Sequence, residues 1–179
     1  MSRLPLVEPD SATGEVAEML TAVKARLGRV TNMVRVMAGA PAVLKSYIAL
    51  TGALGQGSLS RQTAERLALA VSEANGCTLC LSAHTALGGK AGLSSEEIIA
   101  ARRGTSADPK EAAALVFART LLASGGNATD EDLATLRSAG YSDADVLEII
   151  AHISLSVLTN YVNKVARTPI DFPEAAPLA

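Results

Sequence analysis

Tryptophan is absent from this 179-residue chain, and aromatic side chains make up only 3% of it. A core so poor in rings has to be filled by aliphatic side chains. Alanine and leucine dominate, which suits close-packed helices better than sheets. No segment alternates apolar and polar residues long enough to make a strand, and no repeat recurs at a fixed period. The formal net charge is −2 and no basic run is present, so the chain carries no electrostatic footprint for nucleic acid. An apolar N-terminal segment with a basic flank is missing, so no secretory signal is expected. The longest apolar stretch, residues 146–159, is interrupted by Glu148 and His152 and looks too short to span a bilayer. The expected setting is a bacterial-type cytoplasm, with no membrane partner. A permanent structural disulfide is out of place there, and a cycling one is not.

What is present concentrates in one stretch, residues 73–84, which holds both cysteines and one of the two histidines. Ser60 to Glu73 reads as a helix with Ser60 as its N-cap, and Asn75-Gly76 is able to take the left-handed conformation that ends one. A second helix then starts at or near Cys77 and runs to Gly88-Gly89. This puts a C-x-x-C in a first helical turn, where unpaired N–H groups and the dipole favour thiolate over thiol. Cys77 and Cys80 are i,i+3 neighbours, close enough for a disulfide, and His84 lies one turn beyond Cys80 on the same face. The dipole favours Cys77 as the more acidic thiol, whereas His84 gives Cys80 a base. On the strength of that base, Cys80 is assigned as the nucleophile and Cys77 as its resolving partner. Inert thiols and zinc are the competing readings. Zinc would need Glu65, Glu73 or His152 as further ligands, and the usual second C-x-x-C or H-x-H pair is missing. No metal and no cofactor are therefore expected.

Taken in order, the chain predicts one all-helical domain over residues 1–179. Residues 1–10, with Pro5 and Pro9, read as an extended arm, loose unless packed on a neighbour, and 168–179 as a coil tail. Helices are expected over 15–27, closed by Gly28, over 31–37, and from Pro41 to about Leu54. Ser94 opens a short helix ending at Gly104. Asp108-Pro109-Lys110-Glu111 reads as a capping box for a helix to about Ser124. Thr129 and Ser142 cap the last two, the final one the longest, through about Arg167.

Other polar residues have plainer readings. Glu65 fits an i,i+4 pair with Arg61, and Glu73 stands near a helix end where the dipole disfavours it. His152, in an apolar helix, reads as a satisfied core or interface histidine, and Asn160 to Asn163 as capping or subunit contact. Helices rich in small apolar residues, with an arm able to embrace a neighbour, point to an oligomer.

The residues Glu65 to Ser72, then Asn75-Gly76-Cys77-Thr78-Leu79-Cys80, then Ala83-His84, resemble the carboxymuconolactone decarboxylase superfamily. They resemble its alkylhydroperoxidase D-like, peroxidase-related branch more closely. The endings Thr159 to Asn163 and Ile170 to Pro173 are similar to this branch too, and the likeness runs from about Leu44 to the end. The resemblance implies an all-α bundle with the C-x-x-C at a helix N-terminus, assembled as a homotrimer or homohexamer. It implies an enzyme that reduces hydroperoxides, with Cys80 peroxidatic, Cys77 resolving, Glu65 and His84 in a proton relay, and an external dithiol or disulfide reductase as electron source. One position departs from the pattern. The best-studied members carry a histidine immediately before the second cysteine, and Leu79 stands there. Two rival functions use the same residues. A lyase would employ Glu65 and His84 as acid and base with the cysteines incidental, and a redox sensor would use the disulfide to alter a partner surface.

Overall fold

The computed structural model describes residues 2–178. A 3-10 turn at Pro9–Ser11 precedes nine α-helices among the described residues, with no strand: α1 (Gly14–Leu27), α2 (Asn32–Met37), α3 (Pro41–Leu54), α4 (Arg61–Ala74), α5 (Thr78–Lys90), α6 (Ser95–Arg102), α7 (Pro109–Ser124), α8 (Asp130–Ser138) and α9 (Asp143–Ala166). The all-helical expectation holds, and most boundaries fall within a residue or two of the sequence reading. Local chemistry explains why. Ser94, Thr129 and Ser142 each accept from the backbone N–H three residues on, and Glu97, Asp132 and Asp145 reach back to close reciprocal capping boxes. Pro41 and Pro109 occupy first turns, where no amide hydrogen is needed.

The box expected at Asp108 is incomplete. Asp108 accepts from the Lys110 amide at 2.8 Å, but Glu111 does not reach back. Glu111 turns inward, accepts from the Thr63 hydroxyl at 2.7 Å and stands 3.8 Å from Arg66. Arg66 is buried on α4 and also pairs with Glu97 at 2.6 Å. A buried guanidinium left without carboxylates is costly, and that demand outweighs a cap at the surface.

Helix α4 is the axis of the molecule. It touches α5, α6, α7 and α9, and Thr63 and every residue from Arg66 to Ser72 are buried. Burial on all sides marks a central helix. Leu67, Leu69 and Val71 are fully enclosed, each contributing roughly 2 kcal/mol of apolar burial. Ala68, Ala70 and Ser72 between them keep the surface low enough for the neighbouring helices to approach. A core cluster joins α4 to α6, α7, α8 and α9, while a second joins α1, α2 and α3 and takes in Val162 of α9.

Helix α9, 24 residues long, packs on α4 and also touches α2, α3, α5 and α7. The helix extends beyond the 146–159 stretch, from Asp143 to Ala166, and by length and composition alone it is long enough to cross a membrane, which corrects the expectation drawn from the shorter stretch. Within the fold it carries Ile149 and Ile153 into the main core cluster. Its first turns are fixed to the loop before α4. Glu148 accepts from the Ser58 and Leu59 amides, and the Ser58 hydroxyl donates to Asp145. That hydroxyl first, then Ser142, holds the Asp145 carboxyl down at about 2.

The N-terminal arm is not loose, and it is the chain's own helices that hold it. The Arg3 amide donates to the Ala166 carbonyl at 2.6 Å, the Val7 amide to the Arg35 carbonyl at 3.1 Å, and Val7 packs on the second cluster. The tail is a strap. Asp171 accepts from the Asn32 amide at the start of α2, the Ala175 amide donates to Ser82 on α5, and the Ala176 carbonyl accepts from Arg102 on α6.

Candidate active site

The turn between α4 and α5 is built to place Cys77. Gly76 has φ +61°, the left-handed conformation that glycine adopts without a Cβ penalty. Its amide bonds to the Glu73 carbonyl at 3.0 Å and the Cys77 amide to the Ser72 carbonyl at 2.9 Å, the two bonds of a Schellman ending. Asn75 stays right-handed, so Gly76 alone makes the reversal. Cys77 thus closes one helix and is at once the N-cap of the next, its Sγ accepting from the Cys80 amide at 3.4 Å. Cys77 and Cys80 are joined by a disulfide, with Cα atoms 5.3 Å apart, and are 2% and 3% exposed.

The second pair bridges the two helices. Glu65 on α4 and His84 on α5 meet at 2.8 Å between Oε2 and Nδ1. The Arg61 pairing considered for Glu65 is therefore not the one formed. A carboxylate only accepts, so Nδ1 carries the proton and Nε2 is left to take or give one. The pair is mostly covered, with Glu65 12% and His84 25% exposed at the side chain. His152 on α9 lies in the field of the same carboxylate. Burial lowers its pKa, against the pull of Glu148 and Glu65, and its Nε2 is buried without a hydrogen-bond partner. The satisfied core or interface histidine read from the sequence is therefore not what is found: the residue is partly buried and its Nε2 is unpaired. Tyr47 on α3 feels Glu65 as well: burial chiefly, and that charge in addition, raise its hydroxyl pKa.

Glu73 is held from outside its own turn, by Arg102 of α6 at 2.7 Å. Leu79 is buried in the apolar interior. Among the described residues no group of three His, Cys, Asp or Glu is arranged to hold a metal ion.

The segment 160–163 departs most from its sequence reading. Asn160 and Asn163 are buried and face the redox turn, not a helix end or a free surface. Asn163 Nδ2 donates to Cys80 Sγ at 3.3 Å. Asn160 donates to Ser72 Oγ at 3.2 Å and accepts from Asn75 at 2.9 Å, while the Lys164 ammonium donates to the Asn75 carbonyl. The signal was two asparagines spaced i,i+3 in an otherwise apolar helix, which puts both amides on one face. What they meet depends on how α9 lies against α4, and spacing does not carry that.

Comparison with known proteins agrees with this architecture. Residues 41–124 match the family model of the carboxymuconolactone decarboxylase family. A solved alkylhydroperoxidase AhpD core, a peroxidase-related protein of Ralstonia eutropha JMP134, superposes with a TM-score of 0.85 at 23% identity, over 95% of this chain and 92% of that one. A peroxidase-related protein from Silicibacter sp. TM1040 gives 0.81 at 23% identity, over 97% and 91%. The debrominase Bmp8, in complex with 2,3,4-tribromopyrrole, gives 0.79 at 19% identity, over 96% and 92%. Among curated proteins, none matches the sequence.

Proposed function

We propose, from the match of residues 41–124 to the carboxymuconolactone decarboxylase family model and from a fold like that of the alkylhydroperoxidase AhpD core, that this chain is a thiol-dependent hydroperoxide reductase of that family. The observation that carries the reading is one arrangement: a Cys77–Cys80 pair at the start of α5, with a carboxylate–imidazole pair, Glu65–His84, one helical turn further on.

In the proposed cycle the reduced Cys80 thiol gives its proton to His84 Nε2, while Glu65 holds Nδ1–H and stabilises the imidazolium. The thiolate attacks the terminal oxygen of the hydroperoxide and the O–O bond breaks. Sulfur keeps the hydroxyl as a sulfenic acid, and the departing alkoxide takes the proton back from His84 as an alcohol. The Cys77 thiol then attacks the sulfenic sulfur, water leaves, and the disulfide forms. An external dithiol returns two electrons and two protons. No cofactor enters any step. Substrates that carry no O–O bond, such as lactones, are not turned over by this route.

The test is a single turnover. Protein reduced with dithiothreitol and desalted, then mixed with one equivalent of cumene hydroperoxide, is expected to lose two thiols for each alcohol formed. Consumption no faster than that by free cysteine at equal thiol concentration would overturn the reading. Lactone decarboxylation surviving Cys77→Ser/Cys80→Ser would install the lyase, and a reversible change in assembly without turnover would install the sensor.

We also propose the homotrimer or homohexamer. Leu147, Ile150, Leu158, Tyr161 and Val165 are exposed along one stretch of α9 at helical spacing, beside an apolar groove of about 370 Å³ between α7 and α9. A stripe of that length supports burial against another copy. A monomer in sedimentation of the reduced protein would overturn it.

A further inference from the structure

We propose that Asn163 is the residue that holds the Cys80 sulfur as a thiolate, so that α9 and not only α5 sets which cysteine is the nucleophile. The assignment rests on the thiol chemistry proposed above for Cys80. Its ground is a contrast between two buried asparagines one turn apart. Asn160 is satisfied at both ends, donating to Ser72 and accepting from Asn75, which is what a packing role requires. Asn163 is satisfied at one end only. Nδ2 donates to Cys80 Sγ at 3.3 Å, while Oδ1 is buried with no hydrogen-bond partner. Reversing the amide would not relieve this. A disulfide or thiolate sulfur only accepts, so the donor end has to face it. The unpaired carbonyl destabilises the folded chain, and a leucine of similar shape would avoid that loss. A position kept polar at the expense of stability, with its donor on a reactive atom, fits a role in the chemistry better than one in packing.

The two sulfurs are thereby distinguished. Cys77 Sγ receives the Cys80 backbone amide, the contribution of the helix end. Cys80 Sγ receives Asn163 from α9, and His84 stands one turn further along α5. The ionisable groups around this corner are Glu65 from α4, His84 from α5, and His152 and Lys164 from α9, the last engaged on the Asn75 carbonyl. None of them replaces a neutral donor on the sulfur itself. A charge-assisted hydrogen bond favours the thiolate over the thiol, which is what a nucleophile working near neutral pH needs.

The experiment uses the full chain in a Cys77→Ser background, where Cys80 cannot form its disulfide. Thiolate absorbance at 240 nm is followed against pH, and alkylation by iodoacetamide at pH 7 is timed in parallel. In Asn163→Leu the thiol is expected to titrate about one pH unit higher, with alkylation at pH 7 slowed several-fold. Thermal unfolding should be unchanged or moved to higher temperature. An unchanged titration would overturn the proposal, and so would a marked loss of thermal stability with no change in titration. If Asn163→Leu does not fold, Asn163→Ala takes its place with the same two readouts and the same outcomes. These readouts need no peroxide. A shifted titration in a protein that does not turn over hydroperoxide would sink the peroxidase reading and leave this one standing.

Discussion

Cys80→Ser is expected to abolish hydroperoxide turnover, on the order of 10³-fold or more, because it removes the atom that is oxidised. Cys77→Ser should behave differently. Steady-state turnover with a dithiol should also fall, but one equivalent of hydroperoxide should still be consumed, leaving a sulfenic acid on Cys80 that dimedone traps. The pair of outcomes separates the two roles. The geometry makes the result informative because both sulfurs have donors. The N-cap geometry of Cys77 puts its Sγ on the Cys80 amide, and judged by that dipole alone Cys77 would be the more acidic thiol. Asn163 donates to Cys80 Sγ, and in the proposed cycle His84 acts on that side too. If Cys80→Ser consumed one equivalent and Cys77→Ser none, the helix end would have outweighed both side chains, and the roles would be reversed. Mass spectrometry of the trapped adduct decides between the two. Both cysteines are nearly inaccessible in the disulfide, so a thiol count in denaturant belongs beside it to show that reduction was complete.

The difference between what spacing reveals and what it hides is visible at this site. The C-x-x-C turn was legible because everything that builds it is local. Gly76 ends α4, Cys77 caps α5, and the i,i+3 and i,i+4 relations are fixed by the helical repeat. Capping at Ser94, Thr129 and Ser142 was legible for the same reason. The failures at the Asp108 cap, the arm and the asparagines involve a partner far along the chain. Glu111 gives up a local cap for Arg66, 45 residues away in sequence, since a buried charge demands more than an exposed helix end. The arm from Ser2 to Val7 has no sequence pattern of its own, and its partners Arg35 and Ala166 are not adjacent to one another in the chain. Asn163 is the sharpest case. Its distance to Cys80 is set by how the ridges of α9 settle on α4, and neither sequence segment contains that packing.

Glu65→Gln and His84→Ala are each expected to lower kcat/KM for hydroperoxide at pH 7 by about 10²-fold, within the range a positioned acid–base group supplies. The double variant should lose little more than either single one. The reason is the 2.8 Å contact. With Glu65 in place, Nδ1 holds a proton and is pinned, so Nε2 is the nitrogen left to exchange with the thiol in the proposed relay. Glutamine keeps the shape but takes away the negative charge that stabilises the imidazolium, and His84 then loses its advantage as a base. Alanine at 84 leaves Glu65 with nothing to orient. Either change removes the same function, so the effects should not add. The thiol titration of Cys80 should rise in both variants, and the pH–rate profile should move to higher pH with it, because a larger fraction of the thiol stays protonated at pH 7. Raising the pH would then recover much of the lost rate, which a folding defect would not allow. Leu79 sharpens the test. It is a buried apolar side chain directly before Cys80, so in the proposed relay Glu65 and His84 would carry the proton without a further ionisable group at that position. Full additivity of the two variants would mean that they act on separate steps. The relay would then have to be replaced by two independent groups, with His152 on α9, partly buried in the field of Glu65 with its Nε2 unpaired, the next to be changed.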